Sequence, residues 1–171
     1  LPTIVDVVIP ETPFFLIGHS DGASIALISA AQRSPLLKGV ITEAAHVYVE
    51  PETLAGIVET EKAWKSGKLT GLAAFHGEKT EEIFLAWSST WLSRWFRSWN
   101  IEYLLPSIEV PLLVIQGRDD QYASEKQVNS ISSQTSGTVQ PEIVDRCGHT
   151  PHQEAQERVL ELMSSFMKRI H

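Results

Sequence analysis

Ser20 stands between two glycines, in the run Gly18-His19-Ser20-Asp21-Gly22. A serine in that setting is a candidate nucleophile. Before it runs Pro13-Phe14-Phe15-Leu16-Ile17, a short apolar segment with the look of a strand. After it runs Ala23-Ser24-Ile25-Ala26-Leu27-Ile28-Ser29-Ala30-Ala31, alanine-rich and suited to a helix. A strand that turns sharply into a helix at a serine lifts the hydroxyl to the tip of the turn, facing a pocket. The turn is tight, so the neighbours of the serine must be small, and Gly18 and Gly22 meet that need. The N–H of Asp21 points to the same space and can stabilise an oxyanion. The competing reading is a glycine-rich connection without chemistry.

A serine nucleophile needs a base and a group that orients the base. The chain offers both, each past the end of an expected strand. Val110-Pro111-Leu112-Leu113-Val114-Ile115-Gln116-Gly117 has the pattern of a buried strand and leads to Arg118-Asp119-Asp120. Carboxylates there sit at the rim of an open sheet, where ligands bind. Gln140-Pro141-Glu142-Ile143-Val144-Asp145 reads as a further strand and leads to Cys147-Gly148-His149. Thr150, Pro151 and Gln153 then suggest an N-cap, a first helical residue and a capping-box partner. The following helix would turn Ala155, Val159, Leu162, Met163 and Phe166 toward the sheet. His149 is thereby pinned between a strand end and a capped helix.

Three motifs carry a resemblance: GHSDGA around Ser20, VPLLVIQGRDDQYA before and after Asp120, and CGHTPHQE around His149. With them the chain resembles the C-terminal portion of an α/β-hydrolase-fold protein of the Ser-His-Asp type with a helical cap. The order Ser, Asp, His matches that family. The resemblance implies Ser20 as nucleophile, His149 as base and Asp120 as the acid. In the family the acid usually stands three residues after the strand-ending glycine, which selects Asp120 over Asp119. Asp119 is then a solvated turn residue or a helix cap. The implied fold is α/β: a parallel sheet of about four strands with flanking helices, plus a helical cap insertion. Complete members place further strands ahead of the serine turn and draw a second oxyanion N–H from them. The expectation is therefore that this chain is part of a longer protein, or that a second copy covers the serine-bearing strand. Residues 1–10 read either as the tail of a preceding helix or as a strand.

The chain has 171 residues, is 43% hydrophobic and carries a net charge of −7. That is enough for one domain with a core. No basic cluster interrupts the acidic balance, so no nucleic-acid partner is expected. No run of 18 apolar residues suggests a membrane span. The single cysteine excludes an internal disulfide and fits a reducing, cytoplasmic setting. Cys147 itself reads as a small buried residue rather than a second nucleophile.

Along the chain, core segments over 1–45 and 106–171 enclose a segment, 46–105, with helical patterns and no strand signals. The inserted segment is the expected cap. Pro51 suits a first helical turn, and Leu54, Ile57, Val58, Glu61 and Trp64 follow one face to a stop at Gly67. Thr80 reads as an N-cap ahead of Glu81 and Glu82. Trp87, Trp91, Trp95 and Trp99 recur every four residues, an aromatic stripe if they share one helix. Trp87, Trp91 and Trp95 are candidate walls of an apolar substrate pocket, with packing of the lid on the body as the equal alternative. His19 and His46 are expected at the pocket edge. His76 and His171 read as solvated or helix-end residues. A metal site from Asp145, His149 and His152 fits no standard spacing, so neither metal nor cofactor is expected.

These readings converge on a serine hydrolase for a small, fairly apolar ester, lactone or thioester, acting through an acyl-enzyme. The same triad serves carbon–carbon bond hydrolysis and perhydrolysis. A ligand sensor on a hydrolase scaffold, or a segment inactive by itself, are the readings from other classes.

Overall fold

A computed structural model of the protein describes residues 1–170; His171 lies outside the described residues. In chain order the elements are α1 (Pro2–Val8), β1 (Phe14–His19), α2 (Asp21–Ala30), β2 (Leu37–Glu43), α3 (Pro51–Lys65), α4 (Ala73–His76), α5 (Thr80–Leu92), β3 (Leu112–Gly117), α6 (Glu125–Gln134), β4 (Val139–Val144), α7 (Pro151–Glu154) and α8 (Gln156–Ile170). They divide into two compact units. One joins Leu1–Tyr48 to the segment from Asn100 onward; the other is Val49–Trp99.

The first unit is an α/β layer structure. Its four strands lie in the order β1-β2-β3-β4, and every neighbouring pair is parallel. Alternate side chains of β2 and β3 meet α8. Ile41, Leu113 and Ile115 pack with Val159, Leu162, Met163 and Phe166, and Phe15 and Val144 lie against this cluster. Each such buried aliphatic or aromatic side chain contributes roughly 1.5–3 kcal/mol. α2 packs on β1 and β2, and α6 on β3 and β4; neither contributes to that cluster, as right-handed crossovers, the rule for parallel strands, would require. β2 and β3 are buried almost throughout, as strands covered on both faces must be. Pro141 lies in β4, an outer strand, where its missing N–H leaves no central ladder incomplete.

All four strands point the same way, so their C-terminal ends share one edge of the sheet. The residues that follow β1, β3 and β4 are therefore brought to that edge, whatever their separation in sequence. The chain leaves this unit after Tyr48 and re-enters at Asn100, and these two residues form an antiparallel bridge. Gln127, buried on α6, closes the same place: its Oε1 accepts the Val47 N–H at 2.8 Å and its amide donates to the Tyr48 carbonyl at 3.1 Å.

The unit Val49–Trp99 is helical. Pro51 opens α3, as expected, and Gly67, at φ 74°, follows its end. Trp64 stacks on Phe84 at 4.4 Å. Thr80 is not an N-cap: it is the first residue of α5, and its hydroxyl donates to the Gly77 carbonyl at 2.6 Å. Nor do the four tryptophans form one stripe, because α5 ends at Leu92. Trp95 and Trp99 flank a short 3-10 turn at Phe96–Ser98. Among the described residues no helix is long and apolar enough to cross a membrane.

Residues 1–10 adopt the helical alternative, as α1. β1 is an outer strand paired only with β2. Phe14 to Ile17 are apolar at every position, yet Ile17 is 54% exposed, and Ile25 on α2 is 51% exposed. An apolar edge of this kind templates strand addition. The 171-residue chain is accordingly expected to sediment above its monomer mass of 19.0 kDa, and Ile17→Lys to move it toward the monomer. A wild-type chain that sediments as a pure monomer at high concentration would contradict this.

Candidate active site

Ser20 occupies the turn between β1 and α2 with φ 54° and ψ −123°, a conformation that costs a non-glycine residue of order 1–3 kcal/mol. The surrounding contacts hold it there. Its N–H donates to the Glu43 carbonyl at 2.9 Å, and its carbonyl accepts from Ala23 and Ser24 in the first turn of α2. Gly18 is required by space, since a Cβ there would collide with the Gly22 backbone. Gly22 is not: a Cβ at that position meets nothing within 4 Å. The tightness of the turn thus falls on one side of the serine only. Asp21 is the first residue of α2, so its N–H belongs to the positive end of that helix.

Asp120 and His149 lie in the loops after β3 and β4. At Gly117 those loops touch, and a Cβ would run into the Gly148 carbonyl. The Asp119 N–H also donates to the Cys147 carbonyl at 2.9 Å. His149 Nδ1 is 2.9 Å from both Asp120 carboxyl oxygens. Its Nε2 is 2.9 Å from Ser20 Oγ, across 129 positions of sequence. Asp119 is exposed and takes no part in this chain of contacts, as a solvated turn residue would not.

The carboxyl of Asp120 is buried. Burial pushes its titration upward, but His149, the Tyr122 N–H and the Gln116 amide outweigh that and hold it below the usual aspartate range. Tyr122 N–H donates to Oδ1 at 2.8 Å, and Gln116 Nε2 to Oδ2 at 2.5 Å. Gln116 was not singled out in the sequence. Its signal is a polar side chain directly after the apolar run Leu112–Ile115, still within the buried strand, a placement that is costly without a hydrogen bond.

The histidine loop is held from below by Glu154 rather than by a capping box at Gln153. Glu154 accepts from the Gly148 N–H at 2.7 Å and from the N–H and hydroxyl of Thr150 at 3.0 Å each. The helix beyond is also broken, with α7 ending before Ala155 and α8 starting at Gln156.

His19 and His46 both neighbour the base. The His19 ring lies 5.0 Å from those of His149 and His152, and its Nε2 is 2.7 Å from the His149 carbonyl. It braces the base loop; burial, foremost, lowers its titration. His46 has its ring centre 6.1 Å from that of His149 but is itself buried, which leaves almost no surface for a ligand and corrects its placement at a pocket edge. Burial first, and then the neighbouring His149, lower its pKa to about 4. Trp91 needs a similar correction: it is buried, edge-on to Phe96 and Trp99. Trp87 lines a hollow of about 300 Å³ within the helical unit, with Leu72, His76, Ile83 and Phe84. Trp95 is 71% exposed.

The model of the alpha/beta hydrolase family matches residues 2–162, and the chain belongs to that family. Its fold is that of a hydrolase. No curated protein sequence matches it. Among solved structures it is similar to the meta-cleavage product hydrolase CumD of Pseudomonas fluorescens IP01, with TM-score 0.78 and 18% identity over 98% of this chain and 69% of CumD. A thermophilic esterase of Thermogutta terrifontis aligns with TM-score 0.65 and 17% identity, over 98% of this chain and 69% of the esterase. CarC, a serine hydrolase involved in carbazole degradation, aligns with TM-score 0.71 and 17% identity, over 92% of this chain and 64% of CarC. At these identities the likeness is one of fold.

Two outcomes follow from the electrostatics. A histidine whose folded pKa is depressed supports the fold fully above its unfolded value, and that support is lost as pH falls. For His46 the window runs from 6.5 down to about 4, and His19 acts in the same sense. The melting temperature should fall across that window, and His46→Gln should flatten the fall; an equal slope in the variant would contradict the assignment. Cys147 is buried, and burial raises its thiol to about 11. Iodoacetamide should therefore leave it unmodified in the native protein at pH 8 and alkylate it after unfolding in urea.

Proposed function

We propose that the protein is a serine hydrolase that cleaves a small, fairly apolar ester, lactone or thioester through an acyl-enzyme. The observation that carries this reading is the continuous chain of 2.9 Å contacts from Asp120 through both ring nitrogens of His149 to Ser20 Oγ. Ser20 attacks the substrate carbonyl, and its proton passes to His149 Nε2. Asp120 keeps the Nδ1–H fixed and balances the imidazolium that forms. The Asp21 N–H donates to the developing oxyanion. Collapse of the tetrahedral intermediate breaks the bond to the leaving group, which takes the proton from His149. Water, deprotonated by the same nitrogen, then releases the acid and restores Ser20.

Serine at the nucleophile position favours acyl chemistry over the displacement at carbon that an aspartate there would serve.

The test is turnover of p-nitrophenyl acetate by the intact protein. Ser20→Ala should lower kcat by at least about a thousandfold. Asp120→Asn should lower it by about 10⁴, and Asp119→Asn far less. Turnover that survives Ser20→Ala, or equal losses at the two aspartates, would defeat the assignment.

A further inference from the structure

Glu43 is the last residue of β2. Ala44, at φ 51°, turns the chain away from the sheet directly after it. A glutamate ending an apolar, fully covered strand is out of place unless something binds it. Its side chain is only 4% exposed, and its Oε2 accepts from the His152 main-chain N–H at 2.8 Å and lies 3.1 Å from His152 Nδ1. His152 is in the first turn of α7, in the loop that carries His149. The main-chain carbonyl of Glu43 meanwhile accepts the Ser20 N–H at 2.9 Å.

One residue thus holds both partners of the proposed proton transfer. Through its main chain it fixes the strained nucleophile, and through its side chain it fixes the start of the helix after the base. We propose that Glu43 is a positioning residue that sets the distance between Ser20 and His149. It acts as a hydrogen-bond acceptor for the base loop and touches neither the reacting atoms nor the substrate. The other braces on that loop act from different directions: Glu154 binds Gly148 and Thr150, and His19 meets the His149 carbonyl. Glu43 ties the loop across the sheet edge to β2, the strand whose main chain also holds the nucleophile. Misplacing a base by about 1 Å costs on the order of 100-fold, so a neutral acceptor of the same shape should preserve the function and an apolar group should not.

The proposal rests on the serine-hydrolase reading, and the experiment separates the two. Glu43→Leu and Glu43→Gln are compared with wild type in p-nitrophenyl acetate turnover and by proton NMR of the His149 Nδ1–H, whose bond to Asp120 gives a far-downfield resonance. Melting temperature reports folding. Expected for Glu43→Leu is a fall in kcat of about 100-fold with KM within about twofold, and loss or broadening of the downfield resonance in a folded protein. Glu43→Gln should restore the resonance and at least a third of kcat. Should Glu43→Leu not fold, Glu43→Ala takes its place with the same expectations. A folded apolar variant with kcat within threefold of wild type and an intact resonance overturns the proposal. So does a Gln variant as impaired as Leu, or a change confined to KM. Were wild-type turnover to survive Ser20→Ala, the hydrolase reading would fall, and the resonance alone would still decide whether Glu43 positions the base loop.

Discussion

An imidazole has two nitrogen atoms, and in this protein both of those on His149 are engaged. Nδ1 faces Asp120 and Nε2 faces Ser20, at 2.9 Å each. That double engagement demands that three loops, from three different strands, arrive together with little freedom. A parallel sheet meets the demand because its strands end on one edge, and strand spacing then fixes how far apart their loops emerge. Order β1-β2-β3-β4 puts the nucleophile after one outer strand and the base after the other. The acid follows β3, beside the base.

The groups behind the site are mostly polar and buried, and burial makes them consequential. A buried acceptor left without a donor costs about 1–3 kcal/mol. Asp120 meets this with Tyr122, Gln116 and His149, and Glu43 with His152. The bonds of Asp120 to His149 and of Glu43 to His152 join different loops, so satisfying these polar groups also locks the loops to one another. The strain at Ser20 persists for the same reason: its N–H and carbonyl are held by β2 and α2.

Much of this was legible in the sequence. The strand-turn-helix at Ser20, the strand ending at Gly117 and the amphipathic run from Val159 to Phe166 follow from local pattern, and each lies where the pattern put it. The misses share a cause. Thr80 and Gln153 look like capping residues, yet Thr80 turns its hydroxyl back to the Gly77 carbonyl and Glu154 takes the Thr150 N–H, because capping depends on which group is nearest in space. The tryptophans recur at helical spacing, but spacing does not report where a helix ends, and α5 stops at Leu92. His46 looked like a pocket-edge residue from its place after β2, and its burial is set by everything packed around it.

The amino-acid sequence by itself determined the chemistry available and the strand ends at which it stands. Glycine where backbones cross, apolar runs for covered strands and a serine at a sharp turn are local requirements, and local requirements are written in neighbouring residues. Only the tertiary structure decided which groups meet. The engagement of His149 with Ser20 spans 129 positions and that of Glu43 with His152 spans 109. Nothing in either local segment encodes its partner. Such contacts come from the order and parallel sense of the strands, which bring distant loops to one edge of the sheet.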